Sequence, residues 1–366
     1  MRTLRYLALC LILLAAHAAA QQTQVRDALP VPDLPGFKTL KCDLHMHTVF
    51  SDGDVWPTIR LTEAFRDGLD AISITDHAWY NPKKDDVKPD IARPYQILRT
   101  TAAQMGMILV PGLEVNDGNI HFNAIFVDNP QPLVGVSLKE ALTRAKQQGG
   151  FAWWNHPGWK GKPEWFPIVA DMYRGELFGG MELVNGDAFY PEAYPWIEER
   201  KLTIMANSDI HRLITDEYGK RGRPVTLAFA RTADAAGLKD ALMARRSAAW
   251  MNGQVWGFEP HLTGLWNGAV KPKLAELKGT SRVGLILHNT SALPFDLKVT
   301  KSPAWLRPAA AARLDPEAVT GIVMGISKDA PAGTNPVELE FEVTNFHTGP
   351  GRNLVVKVPL TITVER

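Results

Sequence analysis

From Phe37 to about Asn252, short apolar runs alternate with segments of helical period. The runs are Leu40–Leu44, Ala71–Thr75, Ile108–Val110, His121–Val127, Phe151–Trp154, Met181–Val184, Thr203–Ala206 and Val225–Ala230. Helical patterns cover Pro57–Asp67, Ser137–Gln148, Pro191–Arg200 and Thr232–Arg246. Pro57 suits a first helical turn, where its missing N–H costs nothing. Ser137 with Glu140 three residues later reads as a capping box. Strand-like runs separated by helices predict an α/β barrel with its chemistry at the C-terminal ends of the strands. After Asn252 the rhythm changes. Runs at Arg282–His288, Phe295–Thr300, Val319–Ile326, Val337–Val343 and Leu354–Val364 are separated by turn residues, with no long helix between them. Val337–Val343 alternates strictly, as a half-buried antiparallel strand does. A small all-β sandwich follows from this pattern.

Composition narrows the class. The chain has 366 residues, 45% apolar and 22% charged, which excludes a disordered chain and suits a barrel plus a small domain. With 40 Lys and Arg against 39 Asp and Glu, no overall field attracts extended nucleic acid or an anionic membrane. Arg2 and Arg5 precede an apolar stretch, Tyr6–Ala16, and Ala18-Ala19-Ala20 precedes Gln21. That order predicts a signal peptide over residues 1–20 and a periplasmic or secreted protein. The stretch is too short for stable membrane insertion once the signal is removed. Removal leaves Cys42 as the single cysteine, so no internal disulfide forms. The expected organisation is a signal peptide (1–20), a polar, Pro-rich linker (21–36), a barrel domain (37–252), a connection (253–279) and a β-sandwich (280–366).

The candidate chemistry lies at the ends of the apolar runs. In Asp43-Leu44-His45-Met46-His47 the two histidines share one face of a strand, which suits two ligands of one metal. Alone the pair is weak, because such spacings arise by chance. Its company is informative: Asp52 in the next loop, Asp76-His77 after the second run, Glu114 after the third, His121 opening the fourth, Asn155-His156 after the fifth, and Asp209 with His211 after the seventh. A barrel brings these ends to one face. His45, His47, Asp52, His77, Glu114, His121, His156, Asp209 and His211 then offer too many N and O ligands for one ion and suit two or three divalent metals.

The series DLHMHTVFSDG, TDH, GLE followed by His121, NHP and SDIH resembles the PHP (polymerase and histidinol phosphatase) superfamily over about residues 38–252. The resemblance implies a distorted (β/α)7-type barrel, followed here by the Ig-like sandwich. It also implies phosphate-ester hydrolysis by two or three divalent ions, with zinc, manganese or iron all compatible with these ligands. By motif, His45, His47, Glu114 and Asp209 hold one metal, and Glu114 bridges to a second held by His121 and His156. Asp52, His77 and His211 hold a third, with Asp52 standing where some members have His. Asp76 falls outside the ligand set and takes a supporting or proton-handling role. The signal peptide, the sandwich and DHAWYNP after the second run resemble an exported bacterial phosphodiesterase branch of the family.

Metal ions outweigh the carboxylates, so the site attracts a small organic phosphate, and hydroxide bridging two metals attacks phosphorus without a Ser or Cys nucleophile. Arg212, beside His211, is the candidate phosphate clamp and catalytic cation. Seven of the 11 tryptophans precede Arg200, and several flank the motif histidines. Tyr80, Trp154 and Trp159 are the candidate substrate walls; of Trp153 and Trp154, which point to opposite sides of a strand, one belongs to the core. Lys83, Lys84 and Lys160 read as solvated loop charges, and His261, His288 and His347 as structural. The expected activity is phosphodiester hydrolysis. The alternatives are a phosphomonoesterase of nucleotide or sugar-phosphate type, or a metal-holding binding protein without turnover. The oligomeric state stays open.

Overall fold

The computed structural model describes residues 25–219, 222–273 and 276–365; the expected signal peptide, 1–20, lies outside them. Eleven strands build the first part: β1 (Lys38–Asp43), β2 (Ala71–Ile74), β3 (Ile108–Asp117), β4 (Ile120–Ile125), β5 (Phe151–Trp154), β6 (Gly180–Asn185), β7 (Ala188–Phe189), β8 (Thr203–Asn207), β9 (Val225–Ala230), β10 (Ser247–Met251) and β11 (Gln254–Gly257). The helices are α1 (Pro57–Arg66), α2 (Arg93–Gln104), α3 (Leu138–Gln147), α4 (Pro167–Arg174), α5 (Ala193–Glu199), α6 (Ile214–Glu217), α7 (Ala235–Met243) and α8 (Glu259–Ala269). Helix α3 starts where the capping signal places it: the Ser137 side chain accepts from the Glu140 N–H at 3.3 Å. At α7, Asp234 accepts from Gly237 at 2.7 Å.

The strands follow one another in the order β10-β9-β1-β2-β3-β4-β5-β6, with β8 on the other side of β6. The path nearly returns to its start. No backbone ladder joins β8 to β9; instead the Thr226 hydroxyl accepts from the Ala206 N–H and donates to the Ala206 carbonyl, both at 2.8 Å. β1, β2 and β3 run parallel, as do β5, β6 and β8, whereas β4 is antiparallel to both its neighbours. That reversal departs from a regular alternation of strands and helices. The turn between β3 and β4 carries Gly118 at φ 57° and is far too short for a parallel crossover, so a hairpin is the available connection.

The strand-rich C-terminal part contains the long strands Gly333–Gly349 and Arg352–Val364, paired antiparallel, with Arg282–Asn289 and Val319–Ile326 paired in a second sheet. Its junction with the barrel is a ladder. β11 pairs in parallel with Gly333–Gly349 at Val255–Phe346 and Trp256–His347. The stretch expected as a connection, 253–279, thus contains β11, helix α8 and short strands. Scattered Gly, Pro and Lys obscured the helix, yet its buried face, Leu262, Leu265, Trp266 and Ala269, has helical spacing. The expected linker is docked too, over its described residues 25–36. Arg26 donates to the Leu69 carbonyl at 2.8 Å and to Asp70 at 2.7 Å, Ala292 N–H donates to the Pro30 carbonyl at 2.7 Å, and Leu34 is buried. One apolar cluster consequently runs from Leu61 and Ile72 of the barrel through Leu265 to Leu285 and Phe341 of the sandwich.

Candidate metal centre

The chain leaving β1 is fixed before it delivers its histidines. The Met46 N–H donates to the Thr75 hydroxyl, and the His47 N–H to the Ile210 carbonyl at 3.0 Å. His45 and His47 are fully buried, their ring centroids 5.2 Å apart. Glu114 on β3 occupies the centre of the cluster. Its Oε2 lies 2.7 Å from His77 Nδ1, 3.4 Å from His47 Nε2 and 3.7 Å from His45 Nε2. Its Oε1 lies 3.0 Å from His121 Nδ1 and 3.6 Å from His156 Nε2. Asp209 Oδ1 faces His45 Nε2 at 3.1 Å and His47 Nε2 at 3.0 Å. Asp52 lies 3.3 Å from His77 Nε2 and 3.2 Å from His211 Nε2. All nine candidate ligand residues therefore meet at one place.

They form overlapping sets compatible with an ion: His45, His47 and Glu114; His45, His156 and Asp209; Glu114, His121 and His156; and His47, Asp52, His77 and His211. The buried atoms His45 Nε2, His47 Nε2, His77 Nδ1, Asp52 Oδ1 and Glu114 Oε2 make no hydrogen bond among the described residues. Buried lone pairs without partners are costly, and inward-facing N and O donors suit divalent cations. The residues present therefore fit the group that the motifs imply.

Carboxylates and imidazoles shift one another's protonation throughout this cluster. Burial pushes His47 down to about 3, reinforced by the neighbouring His211 and His77. Burial opposes protonation of His77 as well, but the Glu114 and Asp52 carboxylates hold it up at about 10. Burial would raise the carboxyls of Glu114, Asp209 and Asp52, yet the surrounding imidazoles keep all three well below the usual carboxylate range. Without an ion the carboxylates are balanced by protons on their neighbours, His45, His77, His156 and His211 all being shifted upward, and divalent cations held by the same atoms would displace those protons.

A supporting layer aims the ligands. Glu182, fully buried on β6, faces His45 Nδ1 at 2.9 Å and accepts from Trp153 Nε1 at 3.3 Å, the His156 N–H at 2.8 Å, Asn185 at 2.8 Å and Asn207 at 2.9 Å. It commits His45 to present Nε2 to the cluster and holds His156 in an uncommon backbone conformation, φ 25°. Asp209 is also left-handed, at φ 52°. Arg60 of α1, fully buried, donates to the carbonyls of His47 at 2.9 Å, Arg212 at 2.5 Å and Ile210 at 3.2 Å, and pairs with Glu63 at 2.9 Å. It pins both ligand loops at once. Gly53 allows the close approach there, because a Cβ would lie 2.5 Å from the His47 carbonyl carbon.

Neither Glu182 nor Arg60 stood out in sequence. The signal for Glu182 was a carboxylate inside the otherwise apolar Met181–Val184 run; Arg60 sits in an ordinary-looking amphipathic helix. Asp76 lies behind the ligands, accepting from the Thr48 N–H at 2.7 Å and from the Thr48 and Ser51 hydroxyls at 2.6 Å each. Ser51 in turn faces His47 Nδ1 at 3.3 Å, so Asp76 positions the ligand loop.

Two candidate residues sit elsewhere. Trp154 is core, stacked with Trp196 at 5.8 Å and Phe122 at 6.3 Å, because its side of β5 faces the packed helices. Arg212 is exposed, and its side chain meets no ligand residue among those described; its backbone serves instead, with its N–H on Glu217 and its carbonyl on Arg60. Trp159 and Tyr80 do border the cluster, with Trp159 5.3 Å from His156 and Tyr80 6.3 Å from His77.

The fold has counterparts among known proteins. A family of Ig-like domains matches residues 269–359. No curated protein matches the chain. A two-domain protein from Bacteroides vulgatus, described as containing a predicted PHP-like metal-dependent phosphoesterase, is 37% identical, with a TM-score of 0.86 over 92% of this chain and 99% of that one. Weaker likenesses include an amidohydrolase from Chromobacterium violaceum at 16% identity and a TM-score of 0.35, covering 47% of this chain and 87% of that one.

Proposed function

Because the chain belongs to the PHP-like metal-dependent phosphoesterases, we propose that it is an exported phosphodiesterase acting on small organic diesters. The convergence of nine N and O ligand residues, with inward lone pairs that no hydrogen bond uses, carries the hydrolase reading. Divalent ions in such a site neutralise phosphate charge and lower the pKa of water toward neutrality, to about 7 in the best-known zinc case. The protein residues keep the geometry. Glu114 spans the ligand sets, Glu182 fixes the tautomer of His45, and Asp76 steadies the His47 loop through Thr48 and Ser51.

The diester preference rests on what borders the cluster. Trp79, Tyr80 and Trp159 are each exposed at the border, whereas two nearby cations, Arg60 and Lys83, are engaged elsewhere. Arg60 donates to backbone carbonyls, and Lys83 to the Asp52 carbonyl at 3.1 Å and to Asp54 at 3.2 Å. Such a mouth suits a singly charged ester with a second organic group better than a dianionic monoester. Export rests on the arginines, apolar stretch and Ala-rich cleavage pattern of residues 1–20.

Hydrolysis of bis(4-nitrophenyl) phosphate is expected to exceed that of 4-nitrophenyl phosphate, measured by nitrophenolate release from metal-replete protein. A strong preference for the monoester overturns the diester assignment. Bound metal without hydrolysis across a mono-, di- and triester panel overturns the enzyme assignment.

A further inference from the structure

We propose that Trp79 and Trp159 form an aromatic clamp at the mouth of the metal centre, selecting phosphodiesters whose organic arm is a planar aromatic ring. This inference rests on the phosphodiesterase reading above and names the class of group the ester carries. The two indoles come from different loops, one after β2 and the other after β5, yet they meet the same ligand. Trp79 packs on His121 at 5.0 Å with its plane 68° away, and Trp159 packs on His121 at 5.2 Å and 48°. Each also touches a second ligand ring, Trp79 lying 4.3 Å from His77 and Trp159 5.3 Å from His156.

These rings are left open. Trp79 is 43% and Trp159 50% exposed, whereas Trp153 and Trp154, on the strand leading to the same site, are buried to 1% or less. An indole carries a large apolar area, and leaving two of them bare beside one histidine forgoes burial unless something else covers them. From Trp79 the surface continues into a cleft of about 240 Å³, lined by Phe50, His77, Trp79, Tyr80, Ile91 and Lys84 among others. Its volume accommodates a single ring system. Its lining mixes flat rings with polar groups, including Asn81, Asp90 and Gln131, which suits a heteroaromatic or substituted aryl group and gives an acyl chain no continuous apolar channel. Aromatic side chains with exposed π-faces reward stacking by any planar ring. Lys160 Nζ lies 3.8 Å from the centre of the Trp159 ring, a cation–π contact on the same indole.

The test uses the metal-replete full protein and two monoanionic ligands with a common head group, methyl phenylphosphonate and methyl methylphosphonate. Binding is followed by calorimetry and by quenching of tryptophan fluorescence, with metal content measured in parallel. The phenyl compound is expected to bind about tenfold tighter or more, and that preference is expected to fall to about twofold in Trp79→Leu/Trp159→Leu with metal content unchanged. Trp79→Phe, which keeps a ring, should retain most of the preference. Equal affinities in the wild type, or a preference that survives the double substitution, overturns the clamp. The two readings separate cleanly. Diester hydrolysis without a phenyl preference refutes the clamp alone, whereas a tryptophan-dependent preference in a protein that cleaves no diester supports the clamp and refutes the phosphodiesterase.

Discussion

Glu182 shows what one buried carboxylate does for a metal-binding histidine. Its partners include a ring nitrogen, an indole, two amides and the backbone of His156, so it orients one ligand and stabilises the strained backbone of another. Glu182→Gln keeps the shape but turns a full acceptor into a half donor, setting an amide NH2 against some of these N–H groups. Metal affinity is expected to fall about 10- to 100-fold, read by competition with a chromogenic chelator. Unchanged affinity would remove Glu182 from the supporting layer. The candidate ligands were legible in the sequence because most stand at or just beyond one end of an apolar run, where a polar residue breaks the pattern. Glu182 breaks the pattern from inside a run, a position that reads as noise without its partners. Trp154 illustrates the opposite case: nearness to His156 suggested a substrate wall, but strand pleating turns Trp153 toward Glu182 and Trp154 toward Trp196.

At the level of elements, α1 couples two loops distant in sequence. Arg60 reaches the carbonyls of His47 and of Ile210 and Arg212, so the loop carrying the first histidine pair and the loop carrying Asp209 and His211 keep one mutual spacing. Arg60→Met removes these bonds and leaves Glu63 buried, with one partner remaining in the Ile214 N–H at 2.9 Å. A loss of about 3–5 kcal/mol in folding stability is expected, read from the urea midpoint, together with reduced metal retention in the protein that stays folded. A near-neutral result would make Arg60 incidental. Strands β1 to β6, β8 and β9 and the capped helices α3 and α7 were legible because their hydrophobic periods are clean; α2, α4, β7 and β10 gave no such signal. The β3–β4 hairpin and α8 were not legible either, since one depends on a turn too short for a helix and the other hides its period among Gly and Pro.

For the molecule as a whole, metal held by the cluster would add stability beyond burial. The single described cysteine, Cys42, is buried and free, so no disulfide constrains the described chain. Ions bind the assembled cluster and not the dispersed ligands of an unfolded chain, so they stabilise the fold. At a metal concentration a hundred times its Kd the gain is about 3 kcal/mol. Chelation is therefore expected to lower the thermal midpoint and readdition of metal to restore it, followed by circular dichroism. A midpoint indifferent to chelator would mean that the ligands are held equally well without ions. The ladder between β11 and Gly333–Gly349 has another consequence, concerning the order of synthesis. The partner of Trp256 is His347, so the barrel's outer edge remains unpaired until almost the entire chain has been made. From the synthesis of β11 until that of His347, a nascent chain therefore carries an exposed strand edge. Completion of the fold must wait for the last strands.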